Sequence, residues 1–199
     1  MAFKMRTLVQ IWVTCGLVLA GQAGVAASPE ESLSDAMRGL LRQRWSGATV
    51  TALDTDLARR WQSAVDAPLS QWISSQALRQ EFKLHLAYEA QRAGLSMSLM
   101  LGLVEVESGF RKHAISAAGA MGYAQVMPFW TRLIGDGDSS SLFNTQANLR
   151  YACLILRHYL DLEKGDLVLA LGRYNGSRGW PHYPERVLQA REKWRLEVD

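Results

Sequence analysis

The chain has 199 residues, 48% of them hydrophobic and 21% charged, with a formal net charge of +3. That composition suits one globular domain with a sizeable core and excludes a disordered or collagen-like chain. No run of Lys and Arg stands out against the matching acids, so a nucleic-acid partner is not expected.

The first residues are a targeting segment rather than part of the fold. "MAFKMR" carries Lys4 and Arg6, "TLVQIWVTCGLVLA" is apolar, and "GVAAS" offers small residues for cleavage. This is the layout of a secretory signal peptide over residues 1–27. The apolar run is short against the roughly 17–25 residues of a spanning helix, so stable membrane insertion after cleavage is not expected. An uncleaved anchor is the alternative. Losing Lys4 and Arg6 lowers the formal charge from +3 to +1. Cys153 is then the one cysteine left and reads as a small buried hydrophobe. An exported chain without an internal disulfide fits the periplasm.

The rest predicts a mainly α fold, with a helical N-terminal extension over residues 28–75 and a main domain over 76–199. "SPEESLSDAMRGLLRQRW" and "TDLARRWQSAVDAPLSQWISSQ" supply the extension, the second helical region breaking near Pro68. In "QALRQEFKLHLAYEAQRAG", Leu78, Phe82, Leu86 and Ala90 fall on one stripe and Gly94 ends the helix. "SMSLMLGLVEVESG" starts on a Ser cap and is apolar on nearly every side, as a central buried helix is. A loop-rich centre with room for a small hairpin follows. "NTQANLRYACLILRHYLDLEKG" then buries Leu149, Ala152, Cys153, Leu156 and Leu160 on one face. "DLVLALGRYN" is a short apolar helix capped by Asp166, and Pro184 opens a last helix through Trp194.

Two carboxylates close the buried helix, Glu105 and Glu107 in "VEVESGF". Helical residues turn by ~100° each, so these two side chains point ~200° apart and cannot enter one site together. Glu107 sits in the last turn, where desolvation and the negative end of the helix dipole both favour its neutral form. A carboxyl held neutral near pH 7 is suited to act as a general acid. A solvated helix end is the plain alternative. Downstream, "HAISAAGAMGYAQVMPFW" is rich in small residues that allow close approach to a ligand, and it carries Ser116, Gln125 and Met127. In "ALGRYNGS", Tyr174 and Asn175 end an apolar helix, and the tyrosine hydroxyl is placed to orient a buried carboxyl.

In this order the three pieces resemble the soluble lytic transglycosylase (SLT) domain, a lysozyme-like family. The resemblance covers about residues 76–190 and rests on Glu107-Ser108, Ser116, "GAMGYAQVMP", Asn148 in "NTQANLRYA", and "ALGRYNGS". It implies cleavage of the β-1,4 bond between N-acetylmuramic acid and N-acetylglucosamine in peptidoglycan, with Glu107 as the catalytic acid and base. It also implies that Ser116 and Gln125 contact the sugars, that Met127 lines the cleft, that Tyr174 bonds to Glu107 beside Asn175, and that no cofactor or metal takes part. Departures are Tyr123 and Ala124 where Leu and Met are usual, and Arg173 and Ser177 in the "YN" motif. The exchange at Tyr123 implies an altered cleft shape.

Two other readings stay open. A goose-lysozyme-like hydrolase would need a second carboxylate, for which Asp136 and Asp138 in "GDGDSSS" are candidates. That loop lacks the ligand set of a calcium site, and the four histidines share no metal-like spacing. The other reading is a non-catalytic peptidoglycan-binding scaffold. Trp130 and Trp180, which follow the site motifs, are candidates for stacking on sugar rings.

Overall fold

A computed structural model describes residues 56–195 and Gly39. The expected signal peptide and, apart from Gly39, the expected first helix of the extension lie outside the described residues. The elements are α1 (Asp56–Ser70), α2 (Gln76–Ala93), α3 (Met97–Ser108), α4 (Phe129–Ile134), a 3-10 turn (Ser139–Phe143), α5 (Thr145–Leu162), α6 (Leu167–Asn175) and α7 (His182–Lys193). Among the described residues the only extended pairing is a pair of isolated antiparallel bridges, Ile115 with Met121 and Met121 with Val126. None of these helices is long and apolar enough to cross a membrane.

Side-chain caps set several of the starts. Ser96 accepts from the Leu99 amide at 3.2 Å, Asn144 from Ala147 at 3.0 Å and Asp166 from Leu169 at 2.9 Å. α3 is the central helix, with Met100, Leu101, Leu103 and Val104 fully buried. α7 crosses it at Gly102, where an added Cβ would stand 2.6 Å from the Arg191 amide nitrogen and 2.8 Å from the Val187 carbonyl oxygen. A glycine inside a helix costs up to about 1 kcal/mol against alanine. Here it lets two helix backbones touch.

Polar groups tie the outer helices inward. Lys83, 2% exposed, bonds to Asp66 at 2.5 Å and to the Gln62 carbonyl at 3.1 Å, fastening α2 to α1. Glu89 accepts from Arg150 at 2.9 Å and Gln146 at 3.3 Å, fastening α2 to α5. Trp61, Val65 and Leu69 of α1 enter the same apolar core as α3 and α5.

Some boundaries differ from the sequence expectation. α1 runs through Pro68 to Ser70 rather than breaking at the proline. Phe82, Leu86 and Ala90 of α2 are buried, but Leu78 in its first turn is exposed. α7 starts at His182, so Pro184 falls within its first turn, where an absent amide proton costs no helical bond.

Candidate active site

α3 ends just past Glu107. Gly109 takes φ of +57°, and its amide bonds back to the Glu105 carbonyl at 3.0 Å. That left-handed turn stops the helix, and Ser108 secures it by accepting from the Arg111 amide at 3.2 Å. The two glutamates diverge as their spacing requires. Glu105 accepts from Lys193 Nζ and from Trp194 Nε1, each at 2.6 Å, at the C-terminal end of α7. Glu107 accepts from the Tyr183 hydroxyl at 2.5 Å, at the N-terminal end of the same helix.

Glu107 is partly buried, and that burial pushes its carboxyl up to about 7. The Tyr183 hydrogen bond and the Arg186 charge pull the other way without restoring an ordinary acid. Among the described residues no carboxylate acts on it. Tyr183 and Tyr174 are both held well above the usual phenol range, by burial first and by the Glu107 charge second. Both phenols therefore stay neutral donors.

The Tyr174 hydroxyl does not bond to Glu107, contrary to the expectation from the resemblance. It donates to the Ala124 carbonyl at 2.8 Å. α6 brings Tyr174 against the central loop, whereas the residue that reaches the carboxyl comes from α7. Tyr183 went unnoticed in the sequence, yet a signal was there. Tyr183, Val187, Ala190 and Trp194 are buried and recur at helical spacing, so one hydroxyl lies on an otherwise mostly apolar face.

The loop from Ser116 to Met127 holds itself. Ser116 Oγ accepts from the Ala120 amide at 3.0 Å, closing a small turn. Gln125 has φ of +49°, and its side-chain nitrogen donates to the carbonyls of Ala114 (3.2 Å) and Gly122 (2.9 Å). Those two bonds fix the orientation of its side-chain amide. Met127 packs partly buried on the core, and Asn175 is exposed at the end of α6. Asn148 locks the loop from beneath. It is 1% exposed, accepts from the Ala124 amide at 2.8 Å, and donates to the carbonyls of Met121 and Leu142, each at 2.9 Å. A Cβ on Gly122 would stand 2.3 Å from Asn148 Nδ2, so this position admits only glycine without a shift.

Tyr123 lies in the core rather than on the surface. It is 2% exposed and packs on Phe82 with ring centroids 4.9 Å apart, a core position taken because its neighbours in the loop are pinned by Asn148. Trp130 is likewise buried, against Phe129 and Tyr159, whereas Trp180 is 74% exposed. Arg173 has a partner that accounts for it. Together with Arg178 it grips Glu163, whose carboxyl is thereby held down at about 2. Asp136 and Asp138 serve their own turn. Asp138 accepts from the Ser140 amide and hydroxyl, each at 2.8 Å, and Asp136 accepts from the Asp138 amide at 3.0 Å.

The sequence profile of the transglycosylase SLT domain matches residues 85–195, more than half of the chain. The chain belongs to this family. Membrane-bound lytic murein transglycosylase C of Actinobacillus pleuropneumoniae serotype 5b (strain L20) is 39% identical over 84 residues, which is 36% of this chain and 23% of that protein. The protein of the same name from Haemophilus influenzae (strain ATCC 51907 / DSM 11121 / KW20 / Rd) is 36% identical over 84 residues, covering 36% of this chain and 24% of that one. The match thus spans about a quarter of the length of these curated relatives. A solved structure of an inactive mutant of lytic transglycosylase Slt from Pseudomonas aeruginosa aligns at 24% identity and a TM-score of 0.45, over 64% of this chain and 23% of that one. The SLT profile takes in Glu107 and its partner Tyr183, the Asn148-locked loop, and the Tyr174–Asn175 helix end that bonds to that loop.

Proposed function

We propose that this SLT-family chain is a peptidoglycan lytic transglycosylase with Glu107 as its single acid and base. The observation that carries this reading is a carboxyl pushed up to about 7, held by one tyrosine and acted on by no second carboxylate among the described residues. Half-protonated near neutral pH, it can both give and take a proton there. Glu107 protonates the glycosidic oxygen as the bond to C1 of the muramoyl residue breaks, and the substrate's own acetamide stabilises the cationic centre. The Glu107 carboxylate then takes the proton from the C6 hydroxyl, whose oxygen attacks C1 and closes a 1,6-anhydro ring. The proton lost in the first step returns in the second, and no water is consumed. Ser116, Gln125, Met127, Tyr174 and Asn175 border the sugar site, Ser116 and Tyr174 chiefly by holding the loop and Gln125 by its oriented amide. The self-capping of Asp136 and Asp138 argues against a hydrolase that uses either as a base.

The names of the relatives support a place in the cell envelope; the layout of residues 1–27 supports export with cleavage after Ala27, leaving residues 76–199 as the catalytic domain and residues 28–75 as its helical extension. The decisive experiment incubates the purified chain, and Glu107→Gln beside it, with isolated peptidoglycan and reads the released products by mass spectrometry. Products ending in 1,6-anhydromuramic acid, absent with the variant, are expected. Free reducing ends would replace this reading with a hydrolase. No products from either protein, with binding retained, would leave a scaffold.

A further inference from the structure

Trp180 is the most exposed large apolar side chain among the described residues, at 74%. A lone apolar residue on a surface is ordinary, but the backbone beneath this one is tightly held. Trp180 lies in the connection from Gly176 to Pro181 that joins α6 to α7. There the Ser177 amide donates to the Gly172 carbonyl at 2.7 Å, and the Trp180 amide donates to the Ser177 carbonyl at 2.9 Å. Arg178 donates to both oxygens of Glu163, at 2.7 and 3.0 Å, and Arg173 holds the same carboxylate. A Cβ on Gly172 would stand 3.0 Å from the Arg178 Cα, so the connection lies directly on α6. Pro181 then stiffens the chain on the far side of the indole.

The connection also runs between two parts of the candidate site. Asn175 precedes it, and Tyr183, three residues after Trp180, donates to Glu107. Three peptide units of 3.8 Å keep the Trp180 Cα within about 11 Å of the Tyr183 Cα. An indole there is large, stiff and negative on its faces, and it loses little conformational entropy on contact. Its face matches a ring whose substituents are all equatorial, because the axial C–H groups of such a ring form a flat, weakly positive surface. β-1,4-linked N-acetylglucosamine has that shape. A protein partner is a poorer match, since one indole supplies at most roughly 250 Å² and a stable interface buries about 800 Å² a side.

We propose that Trp180 is a stacking platform for a sugar ring of the glycan strand other than the one on which Glu107 acts, fixed in place by the Arg173–Glu163–Arg178 clamp. The inference rests on the reading of the chain as a peptidoglycan-cleaving enzyme. A backbone fixed before the sugar arrives removes part of the cost of binding. A contact away from the reacting bond strengthens substrate and transition state alike, so it lowers KM and favours longer strands over short fragments.

The test titrates the purified chain carrying Glu107→Gln with the β-1,4-linked dimer and hexamer of N-acetylglucosamine, following the Trp180 indole by nitrogen–proton correlation NMR. Saturable shifts of that indole with the hexamer, and weaker binding of the dimer, are expected. Adding Trp180→Ala should weaken the hexamer roughly three- to tenfold and leave the dimer unchanged, and Trp180→Phe should recover part of the loss. Glu163→Gln, which loosens the clamp without touching the sugar, should weaken the hexamer by a smaller factor. On isolated glycan strands, Trp180→Ala alone should raise KM by the same factor as the hexamer loss and spare kcat. An unmoved indole, equal hexamer binding after Trp180→Ala, or equal losses for dimer and hexamer would overturn the proposal. The outcomes also separate from those for catalysis. Stacking on Trp180 in a chain whose parent releases no glycan products upholds the platform and removes the enzymatic reading. Product release with KM unmoved by Trp180→Ala does the reverse.

Discussion

The Tyr183 hydroxyl and the Glu107 carboxyl meet at 2.5 Å across 76 residues of chain. The bond joins the last turn of the buried central helix to the first turn of the last helix. It favours the charged form of a carboxyl that burial drives towards the neutral one, so the two effects together set the acid near neutrality.

Tyr183→Phe removes the donor and keeps the ring. Without the hydrogen bond the charged form of Glu107 loses support, so its titration moves above about 7. The alkaline limb of the activity profile should move to higher pH, while the lost orientation lowers kcat by roughly tenfold. A pH–rate series on soluble glycan strands reads both effects. An unmoved alkaline limb would mean that Glu107 does not set it.

Glu107→Gln should abolish turnover and at the same time stabilise the fold above neutral pH. The folded value of about 7 exceeds the ordinary 4.5, so the folded chain holds more protons between those limits. Stability from this group is then complete below pH 4.5 and is lost as pH rises through about 7. At pH 8 the variant should be the more stable by at most about 3 kcal/mol, and the gap should close by pH 4. Urea unfolding at both pH values measures it.

Asn148→Ala strips the bonds from the Ala124 amide and the Met121 carbonyl in the loop that carries Gln125, and from the Leu142 carbonyl in the 3-10 turn. A loss of about 2–4 kcal/mol is expected, from unsatisfied buried groups and from lost packing. Because Tyr174 bonds to Ala124 in the same loop, activity should fall even where the variant is fully folded. Parallel urea and turnover measurements below the melting transition test the two parts.

Gly102→Ala is a gain in helix propensity by any local measure, yet it should destabilise. The new methyl group would meet the α7 backbone at 2.6 Å, and separating the helices costs about 1–3 kcal/mol. Since α7 also carries Tyr183, turnover should drop with stability. A variant as stable and active as the parent would show that the crossing can relax freely.

Much of this molecule is written in local pattern. Caps at Ser96 and Asp166, the apolar circumference of α3 and the stop at Gly109 all depend on neighbours within a turn or two, which is why they are readable from residues alone. The divergence of Glu105 and Glu107 follows from helical geometry in the same way, and each indeed has its own partner. Side-chain partners far apart in sequence carry no such signature. That Tyr183 rather than Tyr174 reaches Glu107 depends on how α6 and α7 seat against α3, and the seating depends on Gly102 and on the loop held by Asn148. The motif offers Trp130 for a sugar ring and Tyr123 for an altered cleft, yet packing buries both, because burial is a property of the assembled core and not of a motif. Local pattern is enough for the helices, their caps and the carboxyl that ends the central one. How far that carboxyl is desolvated, and which hydroxyl and which guanidinium stand beside it, follow from packing, since those energies arise between groups that only the assembled fold brings together.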